Sequence, residues 1–333
     1  MPTATPTTLA RRALGGLGLL ACALSTGAGR AWAQGAVDPG MAPRAAALER
    51  QGDRALATEM LGRYLAVAPD DGQAWFQLGR FYLIDARSWH QRGHRGDPPG
   101  PLYLDFAVTA FDQSIRLDID SALVYRGIAE MERARVFVED SGWAAARQRR
   151  PRTGAPALPA FILELGDNLL NSCPTAGVLL TGGELETVAV WYQSLEAGHR
   201  QDLLPLRPEL YALDAEYRGQ MARSLGVDSA LSVQKALAAV AARRPVCLTP
   251  SADSAALPGV TWTPVRLVRV SRAAPLPDDA VVTVTEFVRA AHDGNSAWLG
   301  DVRAIYYTAA RRNPVLCRGL IPLVGGDVPR CGP

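Results

Sequence analysis

Lysine is almost absent from this 333-residue chain, since Lys235 is the only lysine among 35 basic residues. Basic and acidic side chains nearly balance, with 35 against 33, so bulk charge does not indicate a nucleic-acid-binding protein. No segment beyond the N-terminus has the roughly 18 continuous apolar residues that a membrane-spanning helix needs. The hydrophobic content of 48% is enough for two folded units, each with its own core.

Residues 1–33 have the pattern of a cleaved export signal. Arg11 and Arg12 precede an interrupted apolar segment, and a small-x-small cleavage site ends at Ala33. Cleavage there would leave 32 basic and 33 acidic side chains, a formal charge of −1. Two alternatives stay open: a twin-arginine signal, and a lipobox that would place an acylated Cys22 at the mature N-terminus. All three predict a protein of the periplasm or cell envelope with no membrane span in the mature chain.

Few cysteines would remain after cleavage, and none forms a C-x-x-C motif of the kind found in redox sites and zinc ribbons. The four are Cys173, Cys247, Cys317 and Cys331. An even number in an oxidising compartment favours disulfides, although three connectivities are open and free buried thiols are the alternative. The local pair Cys317–Cys331 is the simplest of these connections.

Residues 44–148 carry a helical pattern with an internal period. The first copy contains Ala57, Leu61, Pro69, Trp75, Leu78, Gly79 and Tyr82. The pattern resumes with Ala107 and Phe111, and again with Tyr125, Ile128 and Ala129. This spacing resembles the tetratricopeptide repeat (TPR), in which small residues let two helices approach while large ones fill the gaps. The resemblance implies a surface for a protein or peptide partner.

Two polar segments interrupt and end this helical unit. The insertion between the repeat helices holds His90 and His94, whose i, i+4 spacing would suit a metal ion. Glycine and proline follow closely and no third histidine is near, so we expect a solvated basic loop and no metal. Residues 149–159 are rich in arginine and proline and predict a linker.

Residues 160–333 alternate short apolar runs with helical segments, which predicts a small Rossmann-like α/β domain with a parallel or mixed sheet and a helical tail. Strands are expected at residues 176–181, 202–206 and 245–250, and residues 261–272 are expected to be extended. The predicted fold class is therefore α + α/β, with TPR-like helices first and this domain second.

The α/β segment also carries a family resemblance over residues 165–270. It resembles the soluble C-terminal region of the bacterial membrane-glycosyltransferase-like family with a DUF2723 domain, whose members are similar to protein O-mannosyltransferases. The matching positions are Thr181, Gly183, Thr187, Trp191, Tyr192, Gln193, Glu196, Gly198, Arg200 and Asp202. In the family, a run of acidic and amide residues follows the glycine that matches Gly183, whereas this chain has Glu-Leu-Glu at residues 184–186. The family's transmembrane catalytic half has no counterpart here. The resemblance implies a fold and an extracytoplasmic setting, without an activity.

A double-glycine turn joins the first predicted strand to the next helix. A helix start there would suit an anion, but Glu184 and Glu186 complement the helix dipole themselves, and no phosphate-binding glycine motif is present. The turn is expected to be structural, with a neutral polar ligand such as a sugar as the alternative. The residues that would contact that ligand are Gly182, Gly183, Glu184, Glu186, Trp191 and Gln193.

Two further patterns suggest catalytic chemistry. His199 is a candidate general base with Asp202 as its orienting acid, although a surface histidine in a loop is the commoner arrangement. Ser232 and Lys235 form an S-x-x-K pattern, but its supporting motifs are absent and an ordinary helix face explains it.

The sequence therefore predicts an exported, non-enzymatic scaffold or recognition protein. It is expected to bind a protein or peptide, with a glycan as the second candidate ligand, and neither nucleic acid nor a cofactor. The alternative is an enzyme acting on a glycan or glycolipid, with Glu184, Glu186 and His199 near a cleft.

Overall fold

The computed structural model describes residues 37–91, 93, 99–149, 157–277, 281–294, 296–325 and 331. The predicted export signal, His94 and most of the predicted linker lie outside these residues. The described residues are mostly helical, with fourteen α-helices and one mixed five-stranded sheet, so the coarse prediction of helices followed by an α/β arrangement is confirmed. None of their helices combines the length and the apolar character that crossing a membrane requires.

Six helices come first along the chain. They are α1 (Met41–Arg50), α2 (Arg54–Leu65), α3 (Gly72–Gln91), α4 (Gly100–Arg116), α5 (Ser121–Ser141) and α6 (Trp143–Arg147). Buried residues recur every three or four positions, as Ala74, Leu78 and Phe81 do on α3. A Cβ added at Gly79 would lie 2.6 Å from the Phe111 ring, so the small and large residues of the repeat pattern interlock between α3 and α4. Membership of the TPR class stays a prediction.

The described residues from 157 onward contribute the sheet and eight more helices. The helices are α7 (Ala160–Ser172), α8 (Glu184–Leu195), α9 (Pro208–Leu213), α10 (Ala215–Leu225), α11 (Val233–Ala241), α12 (Thr285–Asp293), α13 (Leu299–Ala310) and α14 (Pro314–Val324). The strands are β1 (Val178–Leu180), β2 (Leu204–Leu206), β3 (Val246–Leu248), β4 (Thr263–Val265) and β5 (Val268–Val270).

The sheet has the strand order β2-β1-β3-β5-β4. Strands β1, β2 and β3 are parallel, with Val178 opposite both Leu204 and Val246, and they are fully buried, as apolar strands covered on both faces are. The extended segment expected at residues 261–272 forms the hairpin β4–β5, which joins β3 antiparallel.

The continuous helical pattern of residues 208–227 predicts one helix, whereas the structure forms two, α9 and α10, with a break at Asp214. The backbone of Asp214 is extended, and its Oδ1 accepts a hydrogen bond from the Tyr217 N–H, which is the geometry of an N-cap. The cap therefore starts a new helix inside the pattern.

One buried core runs from the second half of α3 through α4 and α5 to the sheet, and a smaller buried cluster joins α1, α2 and the first half of α3. On α5, a Cβ at Gly127 would lie 2.5 Å from Leu158 and 3.4 Å from Val188 of α8, so these helices are in close contact. One disulfide, Cys173–Cys247, links the end of α7 to β3, and a second, Cys317–Cys331, links α14 to the C-terminal segment. All four cysteines that follow the predicted export signal are thus paired.

Candidate functional site

Buried charged side chains meet where α3, α5 and the start of α10 come together. His90 lies in the last turn of α3, Glu139 near the end of α5, and Asp214 at the N-cap of α10. His90 Nε2 is 3.1 Å from Glu139 Oε2 and 3.2 Å from Asp214 Oδ2. We call these three residues the histidine cluster. One ligand atom from each lies within 4.8 Å of the others, so the cluster has the geometry of a metal site.

The expectation of a solvated basic loop is wrong for His90. The helix α3 continues to Gln91, past the position where the loop was expected, and His90 is only 7% exposed. Its partner Asp214 is 124 residues away, and no local pattern relates the two. The one signal in the sequence is that Asp214 stands before a helical segment, as an N-cap does.

The two carboxylates change the proton affinity of His90. Burial lowers the pKa of His90, but the close contacts of its ring with the Asp214 and Glu139 carboxylates outweigh burial, and the pKa is raised above its ordinary value. Arg135 opposes this shift, because a nearby positive charge disfavours the imidazolium ion.

An ion-pair network continues from the histidine cluster towards α8. Arg135 Nε lies 2.9 Å from Glu132 Oε2 and 3.7 Å from Glu139 Oε1. Arg87 Nε lies 2.8 Å from Glu132 Oε1, and the same guanidinium also contacts Glu184. Burial would raise the pKa of Glu132, but nearby arginines hold it below its usual range, so Glu132 is ionised in the folded protein.

A cavity of about 280 Å³ lies between α3, α4 and α5, beside this network. We call it the helix cavity. Its apolar lining residues are Ala86, Trp89, Pro101, Leu104, Val136 and Phe137. Its charged lining residues are Arg87, His90, Asp105, Glu132, Arg133, Arg135, Asp140 and Arg149. His90 therefore belongs to both the histidine cluster and the cavity wall.

The double-glycine turn is tightly packed. A Cβ at Gly182 would lie 2.2 Å from the Ser251 carbonyl carbon, because the chain after β3 crosses directly over the turn. Glu186 is fully buried below it, where it accepts hydrogen bonds from the Thr249 hydroxyl and, at 3.0 Å, from the Ser251 N–H. Burial raises the pKa of Glu186, although these hydrogen bonds oppose the shift. Its polar contacts are thus within the protein.

The other predicted contacts of this turn are spread over different surroundings. Glu184 is half exposed and pairs with Arg87. Trp191 is 1% exposed and packs edge-on against Trp143, with ring centroids 5.1 Å apart. Gln193 is buried and its amide donates to the Leu163 carbonyl at 2.9 Å. A ligand at this turn stays a prediction, since these side chains serve packing and pairing instead of a shared opening.

The residues of the two suggested catalytic patterns make other contacts in the structure. His199 Nδ1 lies 2.7 Å from Asp167 Oδ1 on the surface, so its partner is Asp167 and not the expected Asp202. Asp202 pairs with Arg200 at 2.9 Å and accepts a hydrogen bond from the Ala176 N–H, which precedes β1. Ser232 caps α11, and its Oγ accepts from the Lys235 N–H at 3.4 Å. The S-x-x-K pattern is therefore a helix start.

Comparisons with known proteins gave no match to a family model, to a curated protein or to a solved structure. The TPR-like and DUF2723-like resemblances therefore stay predictions.

Proposed function

We propose that the chain is an exported, non-enzymatic recognition or scaffold protein of the cell envelope, and that it binds a peptide or protein segment at the helix cavity. The observation that carries this proposal is the cavity itself, which opens between the three helices of the TPR-like pattern. Its location agrees with the partner surface that the resemblance implies.

The cavity is close to the smallest of the usual ligand pockets and is large enough for one side chain of a peptide. Pockets for drug-sized molecules are about 300–1,000 Å³, and this one is about 280 Å³. Leu104 and Ala86 are buried in its wall, and Val136 and Phe137 are partly exposed to it. An apolar side chain of a bound peptide would gain contact with these residues, since burial is worth about 25 cal/mol per Å².

Charged residues give the cavity its second feature. Arg149 stacks over the Phe137 ring at 4.9 Å, and Arg133 pairs with the exposed Asp105. Charged side chains that are already paired add little to the affinity for a peptide, but they help to orient its polar backbone. The proposed ligand is therefore a peptide with one apolar anchor residue.

The alternative enzyme hypothesis gains no support from this geometry. Glu184 and Glu186 lie in the first turn of α8, while His199 follows its other end. A helix of 12 residues is about 18 Å long, so the acids and the histidine lie at opposite ends of it.

A display library of random peptides tests the proposal. Three bait proteins are compared. They are the wild type, the variant Val136→Trp, in which the indole would fill the cavity, and the control variant Val67→Trp. Val67 is an apolar residue that is 60% exposed and does not line the cavity. We expect the wild type and Val67→Trp to enrich the same peptides with an apolar anchor, and Val136→Trp to bind them at least tenfold more weakly.

Folding of each bait is checked by circular dichroism and thermal unfolding. Equal binding of the enriched peptides by folded Val136→Trp would place the binding surface elsewhere. If no peptide is enriched while a glycan array yields a ligand of the wild type, the proposal is wrong and the glycan alternative is favoured.

A further inference from the structure

Three chain segments that are distant in sequence bring an imidazole and two carboxylates together in the histidine cluster. Two ligands that lie about 2.1 Å from one ion are separated by roughly 3.0 Å at right angles and 3.4 Å at the tetrahedral angle. The distances from His90 Nε2 to Glu139 Oε2 and Asp214 Oδ2 are 3.1 and 3.2 Å, which is in this range. One ion could therefore lie between these side chains, whose ligand atoms are all within 4.8 Å of one another.

Glu139 gives an independent indication of a ligand. It is only 4% exposed, yet neither of its carboxylate oxygens has a hydrogen-bond partner among the described residues. His90 and Arg135 lie 3.1 and 3.7 Å from its oxygens as ion-pair contacts, and neither makes a hydrogen bond to them. A buried carboxylate left in this way is unfavourable unless another group binds it.

Both carboxylates of the cluster lie near the same imidazole nitrogen, His90 Nε2. A protonated Nε2 carries a single hydrogen, which the two carboxylates would have to share. A metal ion binds both of them and the imidazole at once.

Asp214 is already oriented for this role. Its Oδ1 accepts from the Tyr217 N–H at 3.0 Å as the N-cap of α10, and its Oδ2 is the atom nearest His90. A hydrogen bond of this kind fixes a ligating carboxylate, which strengthens metal binding.

We infer that His90, Glu139 and Asp214 form a binding site for one divalent first-row metal ion. The donor set of one imidazole nitrogen and two carboxylate oxygens suits zinc, manganese or iron(II), and Zn²⁺ is the probe for the test. The ion ties α3, α5 and α10 together at the wall of the helix cavity. The inference does not depend on the proposed peptide ligand.

The test is a Zn²⁺ titration of the whole chelator-dialysed protein at pH 7.5, against a competing chelator, with metal content measured after gel filtration. The variants Glu139→Gln and Asp214→Asn keep the shape of each side chain, and Asn at position 214 keeps the capping oxygen. His199→Gln is the matched control, because His199 also pairs with an aspartate but lies on the surface. We expect one bound Zn²⁺ in the wild type and in His199→Gln, and about a hundredfold weaker binding in the other two.

A second measurement covers variants that fail to fold. In the nitrogen-15 spectrum of the wild-type histidine rings, one equivalent of Zn²⁺ should shift the signal of a single solvent-protected ring and raise Tm. Absence of tight binding to the wild type would show that a proton alone balances the cluster, and the inference would be wrong. The same holds if Zn²⁺ shifts only exposed rings, or if folded Glu139→Gln and Asp214→Asn bind like the wild type.

Discussion

The adjacent glycines Gly182 and Gly183 have different surroundings at the turn between β1 and α8. A Cβ at Gly182 would meet backbone atoms of Ser251 and Ala252 at 2.2 and 2.3 Å. At Gly183 the nearest atoms belong to the Ser251 side chain, at 3.7 Å, which is an ordinary contact. The glycine at position 182 is therefore required by the crossing chain, and the glycine at 183 is not.

We expect Gly182→Ala to destabilise the protein by roughly 2–3 kcal/mol, because backbone must move to make room for the methyl group. The shift would also disturb the hydrogen bond from the Gly182 N–H to the Thr249 hydroxyl. Gly183→Ala should cost less than about 1 kcal/mol, the difference between glycine and alanine at a helix N-cap. Urea unfolding of both variants measures the difference, and equal losses would contradict the packing described here.

At the scale of elements, the S-x-x-K pattern shows how a catalytic motif and a helix start share one spacing. Ser232 precedes α11, and its hydroxyl oxygen satisfies the N–H group of Lys235, three residues on. A helix start needs only a hydrogen-bond acceptor at the first position of this spacing. The side chain of Lys235 is exposed and is not needed for it.

Ser232→Ala should therefore lower the free energy of unfolding by about 1 kcal/mol, the usual value of an N-cap side chain. Ser232→Asp should retain the stability, and Lys235→Ala should change it by less than about 0.5 kcal/mol. Chemical denaturation gives these values. Covalent labelling of Ser232 by a fluorescent β-lactam in the wild type, lost in Lys235→Ala, would instead indicate a nucleophile.

Local patterns predicted the elements better than their ends. The apolar run before Gly182 predicts a strand and forms the buried β1, and the helical spacing of Val188, Trp191 and Leu195 predicts one apolar face, which is buried on α8. These follow from side-chain periodicity, which depends only on neighbours in the chain. The break at Asp214 was missed because a helical pattern continues through it, and an N-cap inside such a pattern is visible only from the backbone.

The histidine cluster could not be predicted because its members come from three elements. His90 and Glu139 are 49 positions apart in the sequence, and Asp214 lies beyond the first two strands. Each residue alone has an ordinary local role at a helix end. Only the packing of α3 and α10 against α5 brings the three together, and no local pattern specifies which of these helices contact one another.

At the scale of the whole molecule, the two disulfides close loops of very different size. Cys173 and Cys247 are separated by 74 positions, and they join α7 to the central strand β3 inside the core. Cys317 and Cys331 are separated by 14 positions, with Cys331 partly exposed. A crosslink stabilises mainly by restricting the unfolded chain, so the longer loop should contribute more.

Loop-closure entropy gives roughly 4 kcal/mol for the Cys173–Cys247 bond and roughly 3 kcal/mol for the Cys317–Cys331 bond. We therefore expect Cys173→Ala/Cys247→Ala to lower the free energy of unfolding by more than Cys317→Ala/Cys331→Ala does. Urea unfolding without reductant, followed by circular dichroism, measures both variants against the wild type, and thiol titration of the denatured wild type checks that both bonds have formed. A larger loss from the C-terminal pair would mean that this short loop anchors α14 to the core more strongly than chain entropy alone explains.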